Sequence, residues 1–139
     1  MDPLIKIAIE DLQERGINFG EEAVVVPVPL HFLKKLQRGF NVPEIIAKDL
    51  AVEFGMTYQS NWLTRVRNTK TQTKLNKVER QQNVSHAFKV PRSYWRDVAA
   101  KDILLVDDVC TTGATLLSAT HALKEAGAGQ VWCFSLARD

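Results

Sequence analysis

Cysteine is nearly missing from this 139-residue chain, which has only Cys110 and Cys133. Two cysteines cannot frame a disulfide scaffold, and their scarcity points to a reducing, cytoplasmic setting. Two cysteines far apart in sequence also cannot form a four-ligand zinc site, so no protein-held metal is expected. Long apolar runs are absent as well, which excludes a membrane-spanning helix and a signal-peptide core. The excess of positive charge is only +2, too little to imply a nucleic-acid partner by itself. No Gly-Lys-Ser/Thr triplet closes a glycine-rich loop, which excludes a Walker-type nucleotide site. Repeats and low-complexity segments are lacking too. What is present, 45% hydrophobic and 24% charged residues, suits one globular domain over residues 1–139.

The chain is organised around Ile103–Thr115, which reads I-L-L-V-D-D-V-C-T-T-G-A-T. Ile103 to Val106 predict a short strand buried on both faces, as in a parallel sheet. Asp107 and Asp108 are expected at its end. Thr111, Thr112, Gly113, Ala114 and Thr115 then form a small hydroxylated loop before an amphipathic helix. Backbone N–H groups at a helix start lack internal partners and suit an anion. Gly113 allows close approach of the backbone, and the threonines add hydroxyl donors. This loop suits a phosphate monoester, and the acidic pair suits the hydroxyls of an attached sugar.

The D-D-V-C-T-T-G-A-T stretch after an apolar strand resembles the phosphoribosyl pyrophosphate (PRPP) motif of type I phosphoribosyltransferases. The resemblance implies that the threonine-glycine loop holds the 5′-phosphate while Asp107 and Asp108 meet the ribose 2′- and 3′-hydroxyls. Two further stretches narrow the family. Pro27-Val28-Pro29-Leu30 followed by Arg38-Gly39-Phe40-Asn41 resembles a signature of the ComF family. That family has glutamine next, where this chain has Val42 and Pro43. Arg67, Thr71, Gln72, Leu75, Glu79, Arg80, Asn83, Val84, Ala87 and Phe88 match a second ComF run. ComF proteins also carry an N-terminal cysteine-rich zinc module, which residues 1–22, an expected helix and turn, do not supply.

Elsewhere the pattern is of alternating helices and strands. Asp2 as N-cap and Pro3 open a helix whose inner face is Ile5, Ala8, Ile9 and Leu12, ended by Gly16. Ala23–Val26 reads as a buried strand that stops at Pro27, where proline ends ladder pairing. Lys34, Lys35 and Arg38 gather positive charge just beyond it. Asn41 and Glu44 have capping-box spacing, and Ala47, Leu50, Ala51 and Phe54 share a helical face closed by Gly55. Tyr58–Val66 is expected to carry the next strand, with Trp62 and Leu63 inside. Arg65–Asn83 has six cations against one acid and few apolar residues, so an exposed, mobile hairpin is expected. Ala87–Val90 would be its return strand and Pro91–Lys101 a surface connection. Leu116, Ala119, Leu123 and Ala126 should face the sheet from the helix after the motif, with Gly127 at its end. Val131–Leu136 reads as a last buried strand with Cys133 in the core.

These readings predict an α/β domain: a mostly parallel twisted sheet flanked by helices, with a flexible basic hood hairpin. The family resemblance implies phosphoribosyl transfer from PRPP to a nitrogen acceptor. Asp107, Asp108 and Arg80 are the expected catalytic residues, with Lys35 and Arg38 on the pyrophosphate side. Magnesium would be the cofactor, held mainly by PRPP. The alternative is a non-catalytic protein of the same fold, serving DNA uptake in competence through single-stranded DNA or competence proteins.

Overall fold

The computed structural model describes residues 1–30, 37, 39–66 and 87–139. Lys35, Arg38 and Arg80, and most of the expected basic hairpin, lie outside the described residues. The element order is α1 (Pro3–Glu14), β1 (Val24–Pro27), α2 (Val42–Phe54), β2 (Thr57–Tyr58), β3 (Thr64–Arg65), β4 (Phe88–Lys89), a short turn of helix α3 (Trp95–Val98), β5 (Ile103–Cys110), α4 (Ala114–Glu125) and β6 (Val131–Arg138).

Four strands form a parallel sheet in the order β2-β1-β5-β6, and β3 and β4 form a separate antiparallel pair. Side chains alternate across the sheet, so each face gathers its own core. Val25, Leu104 and Val106 join Ile5 and Ile9 of α1 and Ile46, Ala47 and Leu50 of α2 on one face. Val24, Val26, Ile103 and Leu105 join Leu116, Ala119 and Leu123 of α4, with Trp62, Leu63, Phe88 and Val98, on the other. A strand buried on both faces must be apolar at every position, and Val24–Val26 and Ile103–Val106 satisfy that demand. The sheet is mostly parallel and flanked by helices, as the sequence predicts.

The helix ends follow from local chemistry. Asp2 Oδ1 accepts the Leu4 N–H at 2.8 Å and Pro3 opens α1. Gly55, at φ 64°, closes α2 in the left-handed conformation that glycine adopts without cost. Asn41 does precede α2, but its expected capping box is not formed by the Asn41 side chain. Its Nδ2 instead donates to the Val28 carbonyl at 3.3 Å, tying the helix start to the end of β1.

Several expectations are corrected. β5 does not stop at Val106: it runs on through Asp107 and Asp108 to Cys110, because β6 continues to pair with it as far as Arg138. Pro27 belongs to the ladder opposite Val106, which is possible because β2 has already ended at Tyr58 and asks no N–H of it. Tyr58–Val66 is not one strand. Its two ends join different sheets, and buried Trp62 and Leu63 lie in the connection between them. The 91–101 connection buries Val98 completely. β6 has one sheet neighbour among the described residues and is only half-buried, so Cys133 is exposed rather than in the core.

Candidate functional site

The topology itself marks a crevice. From β1 the chain passes through α2, on one face, to β2 on the outer side. From β5 it passes through α4, on the other face, to β6 on the opposite side. The two connections therefore diverge between β1 and β5, and an open parallel sheet leaves a cleft beyond the strand ends at such a switch point. β1 gives up first. Val28 donates its N–H to Val106 O at 2.8 Å, and past that point only β6 pairs with β5. Asp107 and Asp108 stand there.

Asp107 is 8% exposed and Asp108 is half-buried. Each carboxylate accepts the N–H of the following residue: Asp108 N donates to Asp107 Oδ1 at 2.8 Å and Val109 N to Asp108 Oδ1 at 2.9 Å. Burial raises the Asp107 carboxyl above its ordinary value, to about 6. The Asp108 side chain raises it further through a hydrogen bond and its charge, whereas the Asp108 N–H and the Arg65 charge hold it down. Asp107 is thus ionised at neutral pH and titrates within reach of it.

The turn that follows is shaped by Gly113. This residue has φ 81° and ψ 0° and occupies the position before α4. Among the described residues, a Cβ there would meet no atom within 4 Å, so glycine is required for its backbone angle rather than for space. No side chain caps α4 from Gly113. Thr112 Oγ1 accepts the Ala114 N–H instead, at 3.3 Å. Thr111 and Thr112 are exposed and Thr115 half-buried. Asp107, Val109, Cys110, Thr111, Gly113, Thr115 and Leu116 line one small, open hollow. Of the sequence-predicted residues, Asp107 and Thr111, Gly113 and Thr115 therefore border a single depression, whereas Asp108, Thr112 and Ala114 do not line it. Lys35, Arg38 and Arg80 cannot be set against it, being outside the described residues.

One neighbour was not singled out by its sequence. Arg65, in β3, lies opposite Phe88 of β4 in the antiparallel ladder, with its guanidinium carbon 5.2 Å from the Phe88 ring centre. Burial pulls its basicity down and the charge of Asp107 pulls it back up. In the sequence Arg65 is one cation in a basic run. Nothing in the local sequence sets it apart from the other cations of that run.

Among the described residues, no group of three or more His, Cys, Asp or Glu is arranged to hold a metal ion. Two carboxylates and nearby hydroxyls are hard oxygen donors, and they suit a magnesium ion that brings most of its ligands with a phosphate substrate. No helix among the described residues is long and apolar enough to cross a membrane.

Comparison with known proteins gives the family and the fold. Residues 5–139 match the phosphoribosyl transferase domain family. The chain is 32% identical over 135 residues to Competence protein F of Haemophilus influenzae, covering 97% of this chain and 58% of that protein. It is 36% identical over 111 residues to the DNA utilization protein YhgH of Salmonella typhi, covering 78% of this chain and 47% of that protein. It thus spans about half the length of these curated relatives. The fold is shared with glutamine phosphoribosylpyrophosphate amidotransferase from B. subtilis, at TM-score 0.59 and 23% identity, over 96% of this chain and 25% of that one. The chain belongs to the phosphoribosyl transferase domain family, as a ComF-type member.

Proposed function

We propose that this domain binds PRPP and transfers its phosphoribosyl group to a nitrogen acceptor. The observation that carries the reading is the shared hollow at the switch point, bordered by Asp107 and by the turn containing Thr111 and Gly113. A phosphate seated in Thr111–Thr115 would meet the threonine hydroxyls and the N–H groups that open α4. A ribose extending toward the strand would bring its hydroxyls to Asp107 and Asp108. Binding at the 5′-phosphate, remote from the reacting bond, would orient the anomeric carbon.

In the transfer, the bond from the anomeric carbon to the pyrophosphate oxygen breaks, and its electron pair leaves with pyrophosphate. The acceptor nitrogen forms the new bond with its lone pair and releases its proton to water or to the departing pyrophosphate. Positive charge builds on the ribose in between, and fixed carboxylates beside the hydroxyls stabilise it electrostatically. With a carboxyl that titrates at about 6, Asp107 is mainly negative at neutral pH, as this role requires. By family resemblance Lys35, Arg38 and Arg80 would receive the pyrophosphate. Magnesium bound with PRPP would neutralise pyrophosphate charge, with Asp107 and Asp108 the protein oxygens nearest in kind.

The names of the relatives, a competence protein and DNA utilization proteins, favour a second reading. In it the same fold serves DNA uptake or use without catalysis, through single-stranded DNA or a partner protein. Titration calorimetry with PRPP and magnesium separates the two. Saturable binding that Asp108→Asn weakens supports the transferase reading. No binding by the parent protein, together with salt-sensitive binding of an oligonucleotide, would replace it with the second.

A further inference from the structure

We propose that the free edge of β6 is a docking surface for a second copy of this chain: two β6 strands pair antiparallel about a two-fold axis at Cys133 and join the sheets of two molecules into one. This contact is independent of the PRPP reading.

The backbone of β6 sets what the edge can accept. Ile103 donates its N–H to Gln130 O at 2.8 Å, and the parallel register is unbroken from Ile103–Val131 to Asp107–Ser135. Backbone groups point to alternate sides along a strand. Gln130, Trp132 and Phe134 therefore direct theirs at β5, whereas the N–H and C=O groups of Val131, Cys133 and Ser135 point away from it. Among the described residues no further strand lies on that side. Such an edge is a template for another strand. The opposite edge, β2, is only two residues long. β6 runs for eight, and from Val131 to Ala137 it has neither proline nor a charged side chain, the usual guards of an exposed edge.

Self-complementarity names the occupant. With the axis at Cys133, every outward residue meets an outward residue. Val131 of one copy faces Ser135 of the other and Cys133 faces Cys133, with about six backbone hydrogen bonds exchanged. On the opposite face Trp132 stands across from Phe134 of the other copy, twice by symmetry. Both rings are only half-buried within one chain, at the border of the α1–α2 core. On the α4 side, Thr120 Oγ1 lies 3.5 Å from Cys133 Sγ, and Leu117, one turn away on the same flank, is 73% exposed. Residues 130–136 carry no charge, so no like charges oppose one another, and an acidic or basic peptide would find no counter-charge on the strand. Ser135 is also the register partner of Asp107, so the second copy braces the strand that holds the acidic pair in place.

Sedimentation equilibrium of the full chain, from micromolar to millimolar concentration, reads the association, and a reversible dimer is expected. Cys133→Pro removes an N–H that β5 does not use, a position where an edge strand tolerates proline, and should raise the dissociation constant at least about tenfold. Amide hydrogen exchange in the parent needs no variant. The amides of Val131, Cys133 and Ser135 should slow as concentration rises, while those of Trp132 and Phe134 stay slow throughout. Across the axis the two Cys133 Cα atoms would stand about 5.5 Å apart, so a short bismaleimide should link the copies and Cys133→Ser should abolish the link. A parent that stays monomeric at millimolar concentration would overturn the proposal and leave the edge to a different chain. A dimer whose Val131, Cys133 and Ser135 amides exchange freely, or whose chains are still linked in Cys133→Ser, would overturn it in favour of another face.

Discussion

Pro27 and Val106 form the last rung shared by β1 and β5, and the next residue of β5 is Asp107. The acidic pair is thus set where a central strand loses one neighbour and keeps the other. That arrangement gives Asp107 a buried flank, from the sheet and α4, and an open flank toward the crevice. It explains why a carboxylate can be 8% exposed and still border the hollow.

Burial on these terms has a cost that depends on pH. The folded-state Asp107 carboxyl titrates at about 6, above its ordinary 3.8, so the folded protein binds this proton more tightly than the unfolded chain. The resulting stabilisation is complete below the ordinary value and is lost as pH rises through the folded one. Asp107→Asn, which cannot ionise but can still accept the Asp108 N–H, should therefore be the more stable protein at pH ~7.5, by on the order of 1–3 kcal/mol. Urea denaturation should show that advantage shrinking as pH falls toward ~4. An advantage of equal size at both values would contradict the buried-carboxylate account. The same variant should bind PRPP more weakly, which would separate the stability cost from the functional gain.

Gly113→Ala isolates the turn. Its φ of 81° lies in the left-handed region, and among the described residues no atom stands in the way of a methyl group. The penalty should therefore be conformational alone, roughly 1–2 kcal/mol. Gly113→Asn should cost less, because asparagine tolerates this region better. Thermal melting ranks the three proteins. If alanine were neutral, the turn would not hold the conformation described here.

Much of this was legible in the sequence, and the failures share a cause. The inner faces of α1, α2 and α4 were readable because helical periodicity is a local property: Ile5, Leu50 and Leu123 are all buried. The motif was readable because strand, turn and helix start follow one another without interruption. The extent of β5 was not, since Asp107–Cys110 remain in a strand only because Ser135–Arg138 pair with them. Cys133 looked like core because its neighbours are apolar, but its exposure reflects a place at the sheet edge. Arg65 looked like one of six cations because only the fold sets it over Phe88. Local pattern reports which face a residue takes, whereas pairing between distant segments decides where a strand ends and what a charge faces.

Thr112 links the turn to the helix. Its Oγ1 accepts the Ala114 N–H at 3.3 Å, occupying one of the donors that open α4. Thr112→Val keeps the shape and removes the hydroxyl. Because the residue is exposed, water can take over that donor, and stability should change by less than ~1 kcal/mol. A bound phosphate loses a hydroxyl donor as well, so PRPP affinity should fall about tenfold, equivalent to ~1.4 kcal/mol. Calorimetry on parent and variant at one salt concentration checks this. A drop in melting temperature with unchanged affinity would assign Thr112 to the fold alone.

Asn41 offers a test of how the start of α2 is tied to the end of β1. The residue is 3% exposed, and its Nδ2 donates to the Val28 carbonyl at 3.3 Å, while its Oδ1 is buried without a hydrogen-bond partner among the described residues. Asn41→Ala removes the link and should cost about 1–2 kcal/mol. Asn41→Asp is isosteric but replaces the donor with a carboxylate oxygen facing a carbonyl, in a place with little water. Its cost at neutral pH should exceed that of alanine. Such a carboxyl would titrate higher in the folded than in the unfolded chain, so its protonated form, able to donate to Val28 O, is favoured by acid. Melting temperatures should therefore place Asn41→Asp below Asn41→Ala at neutral pH, and lowering the pH should narrow or reverse the order. An order that does not respond to pH would mean that the Asn41 side chain is solvated and that α2 is tied to β1 by other contacts.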